Sequence, residues 1–176
     1  MGGKILVAVD GSEHMAQTLK KAIETARKDE AELIILHVNT PHFLTKEELD
    51  YAEKRCGEKF RHLVGGDYLP AFQTDEKSER KYFGDYEKAR TIFKRVYGED
   101  IVKRAIEQAE QAGLAAVRSI LEEGDVAKVV LDVAKKENVD LIVVGRRGHG
   151  RIAEFFLGSI AQKILQHADR SVLTVE

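Results

Sequence analysis

A lone cysteine, Cys56, is all the thiol chemistry this chain has. It excludes an internal disulfide and leaves no thiolate cluster for a metal, a usage that suits a reducing compartment. No run approaches about 18 consecutive apolar residues, so no segment reads as a membrane span. The opening MGGKILVAVDGS has too short an apolar stretch for a signal peptide, and Leu6 stands where a myristoylation motif needs Ser or Thr. Net charge is only −2, so there is no overall pull towards nucleic acid or an anionic bilayer. Any anion site has to be built locally. H-x-x-x-H and H-E-x-x-H spacings are missing, which argues against zinc, and the P-loop pattern with its lysine is absent. There is no internal repeat and no low-complexity segment. We expect a cytoplasmic globular protein that engages neither nucleic acid nor membrane.

What is present has a rhythm. The chain is 43% hydrophobic and 33% charged, and 176 residues suit one domain, 1–176. Ile5 to Val9 and Leu33 to Val38 are short apolar runs, as expected of parallel strands buried on both faces, and Ala115 to Leu121, Leu141 to Val144 and Ser171 to Val175 read as three further strands. Between them lie stripes at helical spacing. Met15, Leu19, Ala22, Ile23 and Ala26 make one, with Ser12 as its N-cap. Ile101, Val102, Ala105, Ile106 and Ala109 make another, closed by Gly113. Val126 to Ala134 and Leu157 to Ala168 supply two more. Alternating strands and helices predict a doubly wound α/β sheet, whose ligands bind at the carboxyl ends of the strands.

Residues 41–98 do not belong to that rhythm. Leu49, Ala52, Cys56, Phe60 and Leu63 recur at helical spacing, as do Tyr82, Tyr86, Ala89, Phe93 and Val96, with a turn at Gly65-Gly66-Asp67 and Pro70. The pattern predicts a helical hairpin inserted after the second strand. Its aromatics, Phe60, Tyr82, Phe83, Tyr86, Phe93 and Tyr97, are expected to pack on each other and on the sheet, or to form a surface for a protein partner.

The most informative stretch follows the fourth strand: GRRGHGRIAEFFLGS, residues 145–159. Gly145, Gly148 and Gly150 let backbone amides approach a ligand and form an anion nest. The helix beyond points its amino end, carrying about half a positive charge, at the same place. Arg146, Arg147 and Arg151 add formal charge, and the Ser159 hydroxyl can donate to a phosphate oxygen. A phosphate chain accounts for these features together. GHGRIA also fits the dinucleotide pattern G-x-G-x-x-A, but it does not open the fold and Asp169 is badly placed for a ribose. Asp10, ending the first strand, can bond ribose hydroxyls or hold Mg²⁺ through water; the competing role is a turn residue accepting from the Gly11 or Ser12 backbone. His149 can touch a phosphate. His37 reads as a buried, satisfied histidine and Cys56 as a buried thiol.

These residues resemble the universal stress protein family. The glycine stretch matches that family's ATP-binding pattern G-2x-G-9x-G-[ST] in full, supported by ILVAVDGSEHMAQTLKKAI, LIILHV and DVAKVVLDVAKKENVDLIVVG. The resemblance implies a five-stranded parallel sheet in the order 3-2-1-4-5, ATP binding, and a homodimer through the last strand, Ser171 to Val175; Mg²⁺, with Mn²⁺ as the alternative, is expected to arrive with the triphosphate. It places Asp10 by the ribose and phosphates, backbone at Val38 against the adenine, and Gly145, Gly148, Gly158 and Ser159 around ribose and phosphate. The full candidate set is Val9, Asp10, Gly11, Ser12, His37, Val38, Gly145, Arg146, Gly148, His149, Gly150, Gly158, Ser159 and Ile160. Two features depart from the family pattern: HADRSVLTVE lacks a proline turn before the last strand, and the inserted hairpin is large.

No residue reads as a general base or transition-state clamp for phosphoryl transfer. The expectation is therefore an ATP-binding regulatory protein of the stress response, without catalytic residues, that signals nucleotide state through its conformation or dimer surface. The alternatives are a slow ATPase, self-phosphorylation with Ser159 as the nearest hydroxyl, or an interaction protein that works through the inserted hairpin without nucleotide.

Overall fold

The computed structural model describes residues 2–12, 14–40, 51, 54, 55, 57, 76–146 and 157–176, with backbone alone at 76–86 and 89. Along the chain run β1 (Lys4–Val9), α1 (Met15–Lys28), β2 (Glu32–Asn39), α2 (Glu76–Gln111), β3 (Val117–Glu123), α3 (Val126–Lys136), β4 (Leu141–Gly145), α4 (Ser159–His167) and β5 (Ser171–Val175). The strands form one sheet in the order β3-β2-β1-β4-β5, every neighbouring pair parallel. Fold class and strand order are those expected from the sequence.

Alternation along the strands divides the core in two. Leu6, Ile34, Leu36, Ile142 and Val144 face α3 and α4 and pack with Val130, Val133, Ala134, Ala161 and Ile164. The intervening residues, Ile5, Val7, Leu33, Ile35 and Val143, fill the opposite face, where α1 packs through Leu19, Ala22, Ile23 and Ala26. Leu6, Ile34 and Ile142 have no exposed surface. Burying each such side chain stabilises the fold by about 1.5–3 kcal/mol.

Three helices end in one way. After α1, α2 and α3 the chain passes through a left-handed residue, Glu30 (φ 50°), Gly113 (φ 82°) and Asn138 (φ 53°). The next residue's amide returns to a carbonyl five positions back: Ala31 to Ala26 (2.9 Å), Leu114 to Ala109 (3.0 Å), Val139 to Ala134 (3.0 Å). Each pair is also a buried apolar contact position, the companion of this type of cap. The turn thus stops the helix and delivers the chain to the amino end of β2, β3 or β4.

The chain divides into two compact units, Met1–Pro41 with Gly98–Glu176, and His42–Tyr97. In the second, Tyr51 meets Phe93 and Tyr97 edge-on, at ring-centroid distances of 6.3 and 5.5 Å, and Phe93 stacks on Tyr97 at 5.2 Å. The expectation that aromatics pack on each other holds for Phe93 and Tyr97, with Tyr51 as an added member. Phe60 and the first half of the expected hairpin, Leu49 to Leu63, lie outside the described residues apart from Tyr51, Lys54, Arg55 and Gly57, as do the side chains of Tyr82, Phe83 and Tyr86. The sequence separates a stripe ending at Val96 from one beginning at Ile101; the structure joins them in the single helix α2, which runs through Gly98 without a break.

Candidate functional site

Parallel strands bring their carboxyl ends to one edge. Val9-Asp10-Gly11-Ser12, Val38-Asn39 and Gly145-Arg146 meet there, with Gly158-Ser159 at the start of α4. From β1 the chain moves outward to β2, while β4 lies on the other side of β1, so the strand order reverses between β1 and β4. That is where open α/β sheets form a crevice.

Asp10 makes a tight turn. Its Oδ1 accepts from the Ser12 amide (3.0 Å) and the Ser12 hydroxyl (2.7 Å), and Gly11 takes φ 82° to permit it. Of the two roles considered for Asp10, the turn role is present, with its bond from the Ser12 backbone. The N-cap expectation for Ser12 is corrected. Helix α1 begins at Met15 with His14 as N-cap and no side-chain cap bond. The Ser12 hydroxyl donates instead to the Asp10 carboxylate, a charge-assisted bond, and does not accept from an amide of the first turn.

His37 is buried at 5% exposure, and its Nδ1 lies 2.8 Å from the Val9 carbonyl oxygen. A carbonyl only accepts, so Nδ1 carries the hydrogen. Val9 and His37 are register partners, which puts this bond across the last rung of β1 and β2. The histidine is satisfied, as expected, and it ties together the two strand ends nearest Val38.

Gly98 sits over the same place. A Cβ there would lie 2.6 Å from Leu121 Cδ1, 3.1 Å from His37 Cδ2 and 3.4 Å from Asn39 Oδ1. Glycine inside a helix costs about 1 kcal/mol against alanine. The close approach of α2 to the ends of β2 and β3 is what that cost permits. The sequence offered one signal, a glycine between two stripes of helical spacing, which reads equally well as a boundary.

The glycine stretch is anchored at both ends. The Arg146 amide donates to the Val175 carbonyl (2.6 Å), and the Gly158 amide donates to the Arg146 carbonyl (2.8 Å). Arg146 therefore joins β4, β5 and the start of α4 through its backbone alone. Its guanidinium Nη2 pairs with Glu176 at 2.6 Å, so its charge is shared with a carboxylate. Gly148, His149 and Gly150, with Arg147 and Arg151, lie outside the described residues. Helix α4 starts at Ser159, not at Leu157, with Gly158 as N-cap at φ −60°, ψ 147° and no side-chain cap bond. Ser159 and Ile160 are exposed residues, and the first amides of any helix lack an intrahelical acceptor and are donors of the kind that anions satisfy. Among the described residues no group of three or more His, Cys, Asp or Glu could hold a metal ion.

This geometry can be set beside known proteins. The model of the universal stress protein family matches residues 1–59 and 66–176. The chain belongs to the universal stress protein family. Universal stress protein YxiE of Bacillus subtilis is 33% identical over 176 residues, covering 99% of each chain. A universal stress protein of Synechocystis is 26% identical over 177 residues, with 99% and 97% covered. Among solved structures, UspA from Lactobacillus plantarum superposes with a TM-score of 0.67 at 16% identity, covering 99% of this chain and 97% of that one. A universal stress protein in complex with cAMP gives 0.59 at 20% identity, again with 99% and 97% covered.

The opposite end of this universal stress protein's sheet is polar in another manner. Arg118 donates from Nε to Glu32 (2.6 Å) and from Nη2 to Glu137 (2.6 Å). Lys4 Nζ donates to the Glu137 carbonyl (3.2 Å) and lies 4.0 Å from Glu32, and the Lys4 amide donates to Asp140 (2.8 Å). The hydrogen bond from Arg118, helped by its charge, holds the Glu137 carboxyl below its usual range. Glu32 in turn, through its hydrogen bond, raises the Arg118 guanidinium above its own. No described helix is long and apolar enough to cross a membrane.

Proposed function

We propose that this chain is an ATP-binding regulatory protein of the stress response, with the nucleotide seated at the carboxyl edge between β1 and β4. The observation that carries this reading is the uncapped start of α4, fastened to the end of β4 by the bond from Gly158 to Arg146. It offers backbone donors to a phosphate chain at the point where the strand order reverses. The Asp10 turn stands on the other side, with a carboxylate for ribose or for magnesium that arrives with the triphosphate and keeps its waters. Mn²⁺ could replace it. In this reading Val9, Gly11, Ser12, His37, Val38, Gly145, Arg146, Ser159 and Ile160 complete the lining; Gly148, His149 and Gly150, expected there from the sequence, lie outside the described residues. A related fold solved with cAMP supports an adenine nucleotide as the ligand class. Signalling would follow from a change of conformation, or of a homodimer surface at the edge strand β5, when ATP binds, in a cytoplasmic setting. The 42–97 unit would carry partner specificity.

Calorimetry of the purified chain with ATP and Mg²⁺, set against AMP and NAD, tests the reading. ATP should bind with a stoichiometry of one per chain, and phosphate release should stay far below the common enzymatic range of about 1–10³ per second. Silence towards every adenine nucleotide would end the proposal.

A further inference from the structure

The sheet has a second edge, β3, far from the glycine stretch in strand order. No residue of β3 is fully buried, and Leu121 is 36% exposed. Its hydrogen-bonding direction can be read from two bonds. The Ala116 carbonyl accepts from the Leu33 amide (2.9 Å), and the Gly124 amide donates to the Asn39 carbonyl (3.1 Å). Alternation then turns the backbone groups of Arg118, Ile120 and Glu122 towards β2 and those of Val117, Ser119 and Leu121 outward.

The side chains of Ser119 and Leu121 share a face with their register partners Ile35 and His37. On that face, the last turns of α2 run beside the strand. Ser119, Val102 and Ile106 form the wall and floor of a groove of about 400 Å³. Its rim is Glu99, Lys103, Glu107 and Glu110, all exposed. Lys103 lies 4.0 Å from Glu107, and Glu110, one turn on, adds a further carboxylate to the rim. Glu122 extends the acidic character past the end of the groove. Edge strands are commonly guarded by a lysine or arginine. The only basic residue of β3, Arg118, points to the opposite face, where it bonds Glu32 and Glu137.

We propose that this edge receives an extended, basic segment of a partner protein, added as a sixth strand beside β3. Backbone pairing to Ser119 and Leu121 would supply affinity, and every second side chain would drop into the groove between Val102 and Ile106. The acidic rim selects a basic segment over an acidic one. It also disfavours a second copy of this chain, whose own β3 edge would bring a rim of the same sign.

The test uses the full-length, ¹⁵N-labelled chain and two short peptides, one alternating Arg with Val and one alternating Glu with Val. The Arg peptide should shift the amides of Ser119, Leu121, Val102 and Ile106, and the Glu peptide should not. Reversing two rim charges, Glu107→Lys with Glu110→Lys, should weaken the Arg peptide by about tenfold or more. Ser119→Pro should abolish its binding, since that amide faces outward and its loss spares the ladder to β2. If Ser119→Pro fails to fold, the charge reversal decides alone. Equal binding of both peptides, binding of neither, or shifts mapping elsewhere overturns the proposal. So does a concentration-dependent shift of the same amides with no peptide present, which would mark self-association.

Discussion

At the amino end of the sheet, Lys4, Glu32, Arg118 and Glu137 bond one another across three strands and a helix end. At the carboxyl end, Asp10, His37 and Gly158 bond nearby backbone or hydroxyl, and the first amides of α4 have no side-chain cap. Charges at the first end satisfy charges. Polar groups at the second hold the turn and the strand ends in shape. The lesson is that a buried parallel sheet, symmetrical in its core, can place its ion pairs at one rim and the proposed ligand site at the other.

Three substitutions sharpen that contrast. The largest effect should come from His37→Ala, which removes the bond to the Val9 carbonyl and leaves space beneath Gly98. We expect a loss of about 1–3 kcal/mol in urea unfolding, accompanied by weaker ATP binding. A stability loss with affinity untouched would detach the histidine from the site. Ser159→Pro comes next. The position is the first of the helix, where proline is welcome, and Gly158 already has the extended ψ of 147° that a following proline requires. Stability should hold while ATP affinity falls by about tenfold, the effect of roughly 1.4 kcal/mol of lost donor contact. Unchanged affinity would move the phosphates away from α4.

Arg118→Met should be the mildest, because the arginine is partly exposed and such pairs contribute little. Its signature is in the pH dependence. The Glu137 carboxyl is held below its ordinary value, so its contribution is present above the ordinary carboxylate range and fades as pH falls through the lowered value. The unfolding midpoint of the unaltered chain should therefore drop on acidification more steeply than that of Arg118→Met. ATP affinity should be the same in both. Parallel acid profiles would show that the ion pairs add nothing measurable.

Much of the fold was legible because burial on two faces leaves a plain mark. LIILHV and LIVVG have no other comfortable home than an inner parallel strand, and the helical stripes between them set the rhythm. The site was legible where chemistry needs particular residue types: glycines and a serine around a helix start, an aspartate after β1. Three features escaped because their cause lies in tertiary contact. Ser12 is a good cap by type, but a carboxylate two residues earlier captures its hydroxyl. Gly98 looks like a stop, yet α2 passes so near Leu121 and His37 there that a side chain would collide with them. The bond from Gly158 to Arg146 is between backbones twelve residues apart, and no side chain announces it.

That last bond has an evolutionary reading. Because it joins main-chain groups, it makes no demand on the side chain at either position. Residue type at 146 could change over time while the tie between β4, β5 and the start of α4 stayed in place.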